Sequence, residues 1–371
     1  MRNTYVEIDL GQIKKNTLAI QEVCGKTVGI CAVIKADAYG HGMIHVAKEL
    51  ENEVAYFAVA IINEGKILRD AGITKPILVL AAVDNDEIDE ALTYGLTLTV
   101  ASKNKLEKII ERGKQLSVVP VIHLKIDTGM GRIGVQYDRA GEFIDMALAA
   151  HNDNAVVCEG IFSHFSDSVD EAFTRIQADR FIAVLDMAKV KGFSFTYVHM
   201  CSSRSIFLYP EYRFSMVRPG IALYGIEPEP KIPLFPSNML PALSFKTKVV
   251  FFKVLEKGDP LGYARAYVIA DEYERIITLP VGYADGLPRR LSNNGHVLVH
   301  GKKYPIVGRV CMDQIMVSLG KEGEAYLDDE VTLIGADGSE RITAEDISLQ
   351  IETTPHEITT CISLRVPRIY K

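Results

Sequence analysis

The sequence predicts an α/β protein: a (β/α)8 TIM-type barrel over residues 1–238, then a mainly β domain over residues 239–371. Three observations predict it. Up to about residue 230, short β-branched apolar runs alternate with amphipathic stretches of roughly 10 to 20 residues, the texture of repeated βα units and so of parallel strands. About eight such units in this length favour a closed barrel over an open sheet. Beyond residue 238 the texture changes to short runs rich in Val, Ile, Tyr and Thr, broken by turns, as in a small β domain.

The strands are expected at Tyr5–Asp9, Val28–Ile34, Tyr56–Ala60, Ile77–Leu80, Leu96–Val100, Val119–Ile126, Val156–Phe162, Phe195–His199 and Ile221–Tyr224. The first of these belongs to the second domain or precedes the barrel. A helix is expected at Ser102–Leu116, where Leu106, Ile109 and Ile110 share a face opposite lysines. Pro228, Pro230, Pro233, Pro236 and Pro241 gather around the join between domains. In the second domain, Asn294-Gly295 and Asp337-Gly338 read as turns, and one helix is expected around Thr343–Gln350.

The 371 residues are 48% hydrophobic and 24% charged, the profile of a soluble globular protein. A net charge of −7 gives no electrostatic case for nucleic acid or an anionic membrane. No apolar stretch approaches the roughly 18 residues of a spanning helix, and MRNTYVEIDL does not resemble a signal peptide. The six cysteines form no CxxC pair, which argues against a zinc site or a disulfide framework and for a reducing cytoplasm. A cytoplasmic domain of a larger membrane protein would read the same way.

Lys35 carries the most information. It ends the run Val28–Ile34 within VIKADAYGHG, so its amine is held on a rigid base at the end of a barrel strand. Active sites of (β/α)8 barrels lie at that end of the strands. A desolvated lysine there can form a Schiff base with an aldehyde cofactor. Other polar residues fall at the same end: Lys125, Asp127 and Arg132 in KIDTGMGRIG, His164 in GIFSHF, His199 in FTYVHM, and Arg218 before Pro219-Gly220-Ile221. Ser202, Ser203, Gly220 and Ile221 offer hydroxyls and backbone N–H groups where a barrel commonly holds phosphate, in its last two βα-loops. No GxGxxG or Walker A element competes for a nucleotide. The second domain adds GYARAY (262–267), VGYADG (281–286) and VGRVCMDQ (307–314).

With these segments in order, the sequence resembles the alanine racemase family, pyridoxal 5'-phosphate enzymes built from a barrel and a β domain. The markers are AVIKADAYGHG, KIDTGMGRIG, GIFSHF, MVRPGIALYG, VGYADG, VGRVCMDQ and CISLRVPRIY. The resemblance implies interconversion of L- and D-alanine for cell-wall peptidoglycan, by a cytoplasmic homodimer with shared active sites. It implies that Lys35 carries the cofactor and serves as one base. Tyr263, from the partner subunit, is the other base, and His164 hydrogen-bonds it. Arg218 faces the pyridine nitrogen; Arg132 faces the cofactor's phenolic oxygen and the substrate carboxylate. Tyr39, Ser203, Gly220 and Ile221 bind phosphate. Met312 offers its N–H to the substrate carboxylate with Asp313 nearby, and Tyr283 helps line the way in. Lys125 is expected to brace Arg132, as a carbamate, because two bare cations so close would repel.

The physical logic agrees with that assignment. Racemisation takes the α-proton from one face of a planar centre and returns one to the other, so two acid/base groups on opposite sides are needed. Free tyrosine, with a pKa near 10, is a poor base at neutral pH unless cations and a hydrogen-bonding partner stand close. Three positions depart from the family pattern: Ser202-Ser203 stands for Asn-Ser, Gly262-Tyr263-Ala264 for Ser-Tyr-Gly, and Leu364 for a tyrosine near the phosphate. The last leaves a serine, or dual serine/alanine, racemase open as an alternative. A decarboxylase on the same barrel is disfavoured by Tyr263 and the Val-Cys-Met-Asp segment. A non-catalytic pyridoxal-phosphate carrier is disfavoured by the β domain.

Overall fold

A computed structural model describes residues 3–229 and 234–371. Pro230 and Pro233, two of the prolines assigned to the join, lie outside the described residues. The chain divides into two compact units. One comprises Lys14–Ala38 and Met43–Leu223; the other comprises Met1–Ile13, Tyr39–Gly42 and Tyr224–Lys371.

In the first unit, eight parallel strands close into a barrel: Gly29–Val33, Tyr56–Val59, Ile77–Val79, Thr97–Val100, Val121–Asp127, Val157–Phe162, Tyr197–Ser202 and Met216–Arg218. Met216–Arg218 pairs with both Tyr197–Ser202 and Gly29–Val33, which closes the ring. Parallel strands covered on both faces read as unbroken apolar runs, and Tyr56–Val59, Ile77–Val79 and Thr97–Val100 are buried at every position. The helix expected at 102–116 forms as Lys103–Leu116. The Ser102 hydroxyl caps it by accepting from the Lys105 N–H, and Leu106 and Ile109 are buried.

One expected strand is not a strand. Met216–Arg218 is the eighth barrel strand, and Ile221–Tyr224 is a short 3-10 turn. Ile221, Ala222, Leu223 and Tyr224 are all at most 1% exposed. A short, wholly buried apolar run fits a strand or a helical turn equally well by periodicity. Here Pro219 and Gly220 end the strand. The Ser203 hydroxyl then accepts from the N–H groups of Gly220 (3.0 Å) and Ala222 (3.2 Å), which fixes the turn.

The second unit holds a ten-stranded sheet. Tyr5–Ile8, the first strand of the chain, pairs antiparallel with Leu243–Lys248 and parallel with Arg368–Tyr370. The helix expected around 343–350 forms as Ala344–Ile351, capped by Thr343. A second helix, Pro355–Thr360, was not foreseen; it starts with proline at its first position, a placement that reads as a loop signal in sequence. Among the described residues, no helix is long and apolar enough to cross a membrane.

Candidate active site

Lys35 follows the strand Gly29–Val33 at the C-terminal end of the barrel. The chain beyond it turns left-handed: Ala36, Asp37, Ala38 and Tyr39 all have φ between 52° and 55°. Each such non-glycine residue costs roughly 1–2 kcal/mol, so the turn persists only because its surroundings hold it. Ala36 N–H donates to Glu64 Oε1 (2.7 Å) and Ala38 N–H to the Ile34 carbonyl (2.9 Å). Asp37 Oδ1 accepts from the Met43 N–H (2.8 Å), which satisfies the start of helix Met43–Leu50. The conformation reverses the chain directly after the lysine. Gly40 (φ +85°) completes the reversal; a side chain there would meet the Thr359 carbonyl at 2.3 Å.

Burial, and then the nearby Arg132 guanidinium, hold the Lys35 amine below the ordinary lysine range, while Glu64 pulls the other way. Lys125 is 3% exposed. Its Nζ lies 4.7 Å over the Phe162 ring and has no hydrogen-bond partner among the described residues. Burial, then Arg218 and Arg132, push that amine well down. His164 is likewise pushed well down by burial, then by Arg218, Lys125, Arg132 and Lys35. These mutual effects place Lys35, Lys125, Arg132, His164 and Arg218 in one electrostatic neighbourhood. Asp127 offsets it only in part, at Lys125: its carboxylate accepts from the N–H groups of Gly129 (2.9 Å) and Gly131 (3.1 Å) and shapes the loop that carries Arg132.

Arg218 is 4% exposed. Burial pulls its guanidinium down to about 10, so it remains a cation at neutral pH. It donates to the carbonyls of Ser163 (2.8 Å) and Met200 (3.2 Å), to His199 Nδ1 (2.7 Å) and to His164 Nδ1 (3.2 Å). No carboxylate hydrogen-bonds it among the described residues. The loop bearing Ser163 is braced in turn: Thr128 and Ser163 hydroxyls meet at 2.8 Å, and Gln177 donates to Thr128 and to the His164 carbonyl.

Pyridoxal phosphate needs an amine, an anion cradle and a group for its ring nitrogen. Lys35, the Ser203–Gly220 corner and Arg218 follow or end three neighbouring strands, in the order Gly29–Val33, Met216–Arg218 and Tyr197–Ser202. The Ser203 hydroxyl accepts from two backbone N–H groups and keeps its proton to give. An amine with lowered basicity, a hydroxyl–amide corner and a fixed cation suit the cofactor, so the residues present fit it.

The remaining expected residues lie in the second unit. The Tyr39 phenol is buried, with its ring 5.3 Å from that of Tyr224 and 5.8 Å from that of His356. Tyr263 opens a short 3-10 turn after Gly262 (φ +73°) and is 70% exposed. It shares an open groove of about 550 Å³ with Met312 and Asp313, floored by Leu261 and Met316. The floor belongs to a small apolar core of Leu261, Ile269, Ile276 and Val307. Tyr283 N–H and Ala284 N–H donate to the carbonyls of Cys311 and Met312, both at 3.0 Å. Arg365, next to Leu364, bridges Asp285 and Asp313 at 2.7 Å each. Leu364 itself is 83% exposed and brings no polar group.

Sequence reasoning missed His123 and Arg365. His123 is fully buried and hydrogen-bonds His199 at 3.0 Å. The available signal was alternation: His123, Lys125 and Asp127 lie on one face of their strand. For Arg365 the signal is its place in CISLRVPRIY, next to Leu364.

Residues 8–228 match the family described as alanine racemase, N-terminal domain, and residues 242–370 match alanine racemase, C-terminal domain. An alanine racemase of Carboxydothermus hydrogenoformans is 41% identical over 373 residues, covering 100% of both chains. A solved alanine racemase of Clostridium difficile 630 superposes with a TM-score of 0.92 at 37% identity, covering 100% of this chain and 96% of that one. The alanine racemase of Bacillus anthracis, solved with bound L-Ala-P, gives 0.92 at 38% identity, covering 100% and 95%. The chain belongs to the alanine racemase family.

Proposed function

We propose that this chain interconverts L- and D-alanine on pyridoxal 5'-phosphate with Lys35 and Tyr263 as the two acid/base groups. The enzyme is an amino-acid racemase; the alanine racemases among its relatives favour alanine over the serine alternative. The observation that carries the cofactor reading is Arg218, a buried cation aimed by carbonyls and a neutral imidazole, with no carboxylate upon it among the described residues.

Lys35 would hold the cofactor, with Tyr39, Ser203, Gly220 and Ile221 on its phosphate, Arg132 on its phenolic oxygen and Arg218 at its ring nitrogen. Bound there, the cofactor supplies an electron-withdrawing ring that acidifies the α-hydrogen of an attached amino acid. Lys35 Nζ serves one face of the α-carbon and Tyr263 Oη the other. A lowered amine basicity raises the fraction of Lys35 able to accept a proton near neutral pH. Arg218 does not readily yield its proton, so it leaves the ring nitrogen unprotonated; that limits electron withdrawal and side reactions. Arg132, Met312 and Asp313 hold the substrate carboxylate, His164 supports Tyr263, and Tyr283 lines the approach.

Tyr263 and Met312 are 70% and 53% exposed, which supports a homodimer in which each β domain completes the barrel site of its partner. The product would supply D-alanine for peptidoglycan in the cytoplasm. The test is α-proton exchange in deuterated water over a panel of L- and D-amino acids. Exchange and racemisation with alanine foremost are expected; exchange without racemisation, or preference for another amino acid, refutes the reading.

A further inference from the structure

Behind Arg218, a line of polar side chains runs into the barrel. Arg218 Nη1 meets His199 Nδ1 at 2.7 Å; His199 Nε2 meets His123 Nδ1 at 3.0 Å; His123 Nε2 meets Glu159 Oε2 at 3.5 Å. The same carboxylate oxygen accepts from the Tyr56 hydroxyl at 2.5 Å, which lies 2.9 Å from Thr97 Oγ1. His199 and His123 are fully buried, while the Glu159 side chain is 27% exposed.

The line has only one consistent direction. A guanidinium donates and does not accept, so His199 Nδ1 is the acceptor. A neutral His199 then carries its proton on Nε2 and donates it to His123 Nδ1. His123 in turn carries its proton on Nε2 and directs it at Glu159. Three donors in series end on one carboxylate.

The backbone is irregular where the line begins and ends. Ile122 faces Cys158, but the next residue, His123, faces Gly160, so Glu159 is the extra residue of a β-bulge. Bulges re-aim side chains and are uncommon between parallel strands. Gly160 is needed beside it: a side chain there would lie 2.7 Å from the His123 ring. A second register shift separates Met216, which faces His199, from Arg218, which faces Ser202. The imidazole of His199 is also fixed by stacking on Phe162, at 4.7 Å and 5°.

We propose that His123 and Glu159 are positioning residues for Arg218, the carboxylate acting through the one-way chain to keep His199 in the tautomer that accepts from the guanidinium. The proposal rests on the reading of Arg218 as the group opposite the cofactor's ring nitrogen. The chain leaves Arg218 no freedom to turn its Nη1 edge away, and it places the compensating negative charge remote from the cofactor. A carboxylate directly on Arg218 would offset the cation where the ring meets it. Two imidazoles away, the same charge orients the cation and offsets it far less, since the interaction weakens with distance.

The test uses the cofactor-loaded enzyme with 15N-labelled histidine. Long-range proton–nitrogen spectra at neutral pH should show His123 and His199 neutral, each protonated at Nε2 alone, with assignments from His123→Phe and His199→Phe. A proton on Nδ1, or a doubly protonated ring, at either position overturns the proposal whether or not any variant folds. Glu159→Gln removes the charge and nearly preserves the shape. It should mix the His123 tautomers, shift the cofactor's absorbance band and lower kcat; outer partners that orient a histidine typically matter about 10- to 100-fold. Glu159→Asp should restore part of each. If Glu159→Gln changes neither tautomers nor band while Arg218→Lys moves the band, the chain does not position Arg218. If Arg218→Lys also leaves the band in place, the reading of Arg218 itself fails and the proposal with it.

Discussion

Arg365 offers a quantitative test of the groove proposed to face the substrate. Its Nε and Nη2 bridge Asp285 and Asp313, each at 2.7 Å. The Asp285 side chain is fully buried, Arg365 is 40% exposed and Asp313 is 59% exposed. Arg365→Ala therefore removes a charged donor from a buried carboxylate that still accepts from the Gly282 N–H at 2.9 Å. Stranding a fully buried charge costs about 3–5 kcal/mol. Water can enter where a 40% exposed arginine stood, so the loss is smaller than for an enclosed pair, and the exposed Asp313 arm adds little. The change should lower Tm by a few degrees. The same change frees Asp313 and loosens the neighbouring Met312, so KM for alanine should rise about tenfold, the worth of one hydrogen bond to a charged group. Lysine reaches one carboxylate at a time, so Arg365→Lys should recover only part. Calorimetry and steady-state kinetics are the assays. A lower Tm with unchanged KM would show a purely structural bridge; no change in either would refute the reasoning altogether.

Tyr263→Phe should cut racemisation by about 100- to 10,000-fold, the usual worth of a general base, while α-proton exchange of one enantiomer stays measurable; equal loss for both enantiomers contradicts two bases. Mixing Lys35→Ala with Tyr263→Phe chains should return about a quarter of wild-type activity, because each heterodimer keeps one intact shared site and random pairing makes half the dimers mixed; no regain after verified subunit exchange refutes sharing. Lys125, buried without a hydrogen-bond partner among the described residues and held well below the usual lysine range by burial, Arg218 and Arg132, should take up carbon dioxide as a carbamate that binds Arg132; an unmodified native mass speaks against it. Burial holds His123, His164 and His199 below the ordinary imidazole value of 6.5. The unfolded chain therefore takes up protons below about 6.5 that the folded chain refuses, so stability present above that value should be lost as pH falls from about 7 to 5.5; a flat Tm across this interval refutes the neutral buried imidazoles.

Much of the barrel was legible because its strands are short, β-branched and buried on both faces, and because the helices between them are amphipathic. Lys35 could be placed at a strand end from its neighbours alone. What could not be read depends on geometry that local sequence does not encode. Nothing in Ala36–Tyr39 announces four successive left-handed residues, since glycine appears only afterwards; hydrogen bonds accepted by the Glu64 and Asp37 carboxylates from the N–H groups of Ala36 and Met43 hold the turn. Ile221–Tyr224 misled because complete burial erases periodicity. The link from His123 to Glu159 spans two strands and depends on a one-residue bulge, so register had to be known before the pair could be seen. The strand Tyr5–Ile8 finds its partner more than 230 residues away, a pairing that hydrophobic pattern can suggest only as a choice of domains.

The clustering of basic groups gives the site its logic. After burial, Arg132 lowers the proton affinity of Lys35, Lys125 and Arg218, Arg218 lowers that of Lys125, and His164 stays neutral among all four. Such a cluster is unfavourable for folding unless anions share it. Glu64 offsets part of this at Lys35 and Asp127 part of it at Lys125, but Asp127 is also turned toward backbone N–H groups, and Glu159 lies two imidazoles from Arg218. Further compensating charges are those the proposed reaction brings: a phosphate, a phenolic oxygen and a substrate carboxylate. In a chain of net charge −7, a local concentration of positive charge at one end of the barrel also steers anionic ligands there. The Arg132 charge that adds to burial in lowering the basicity of Lys35 also supplies attraction for the anions the lysine works on. A substitution that relieves the repulsion, such as Arg132→Gln, would make Lys35 a stronger base toward protons yet weaken its hold on both cofactor and substrate.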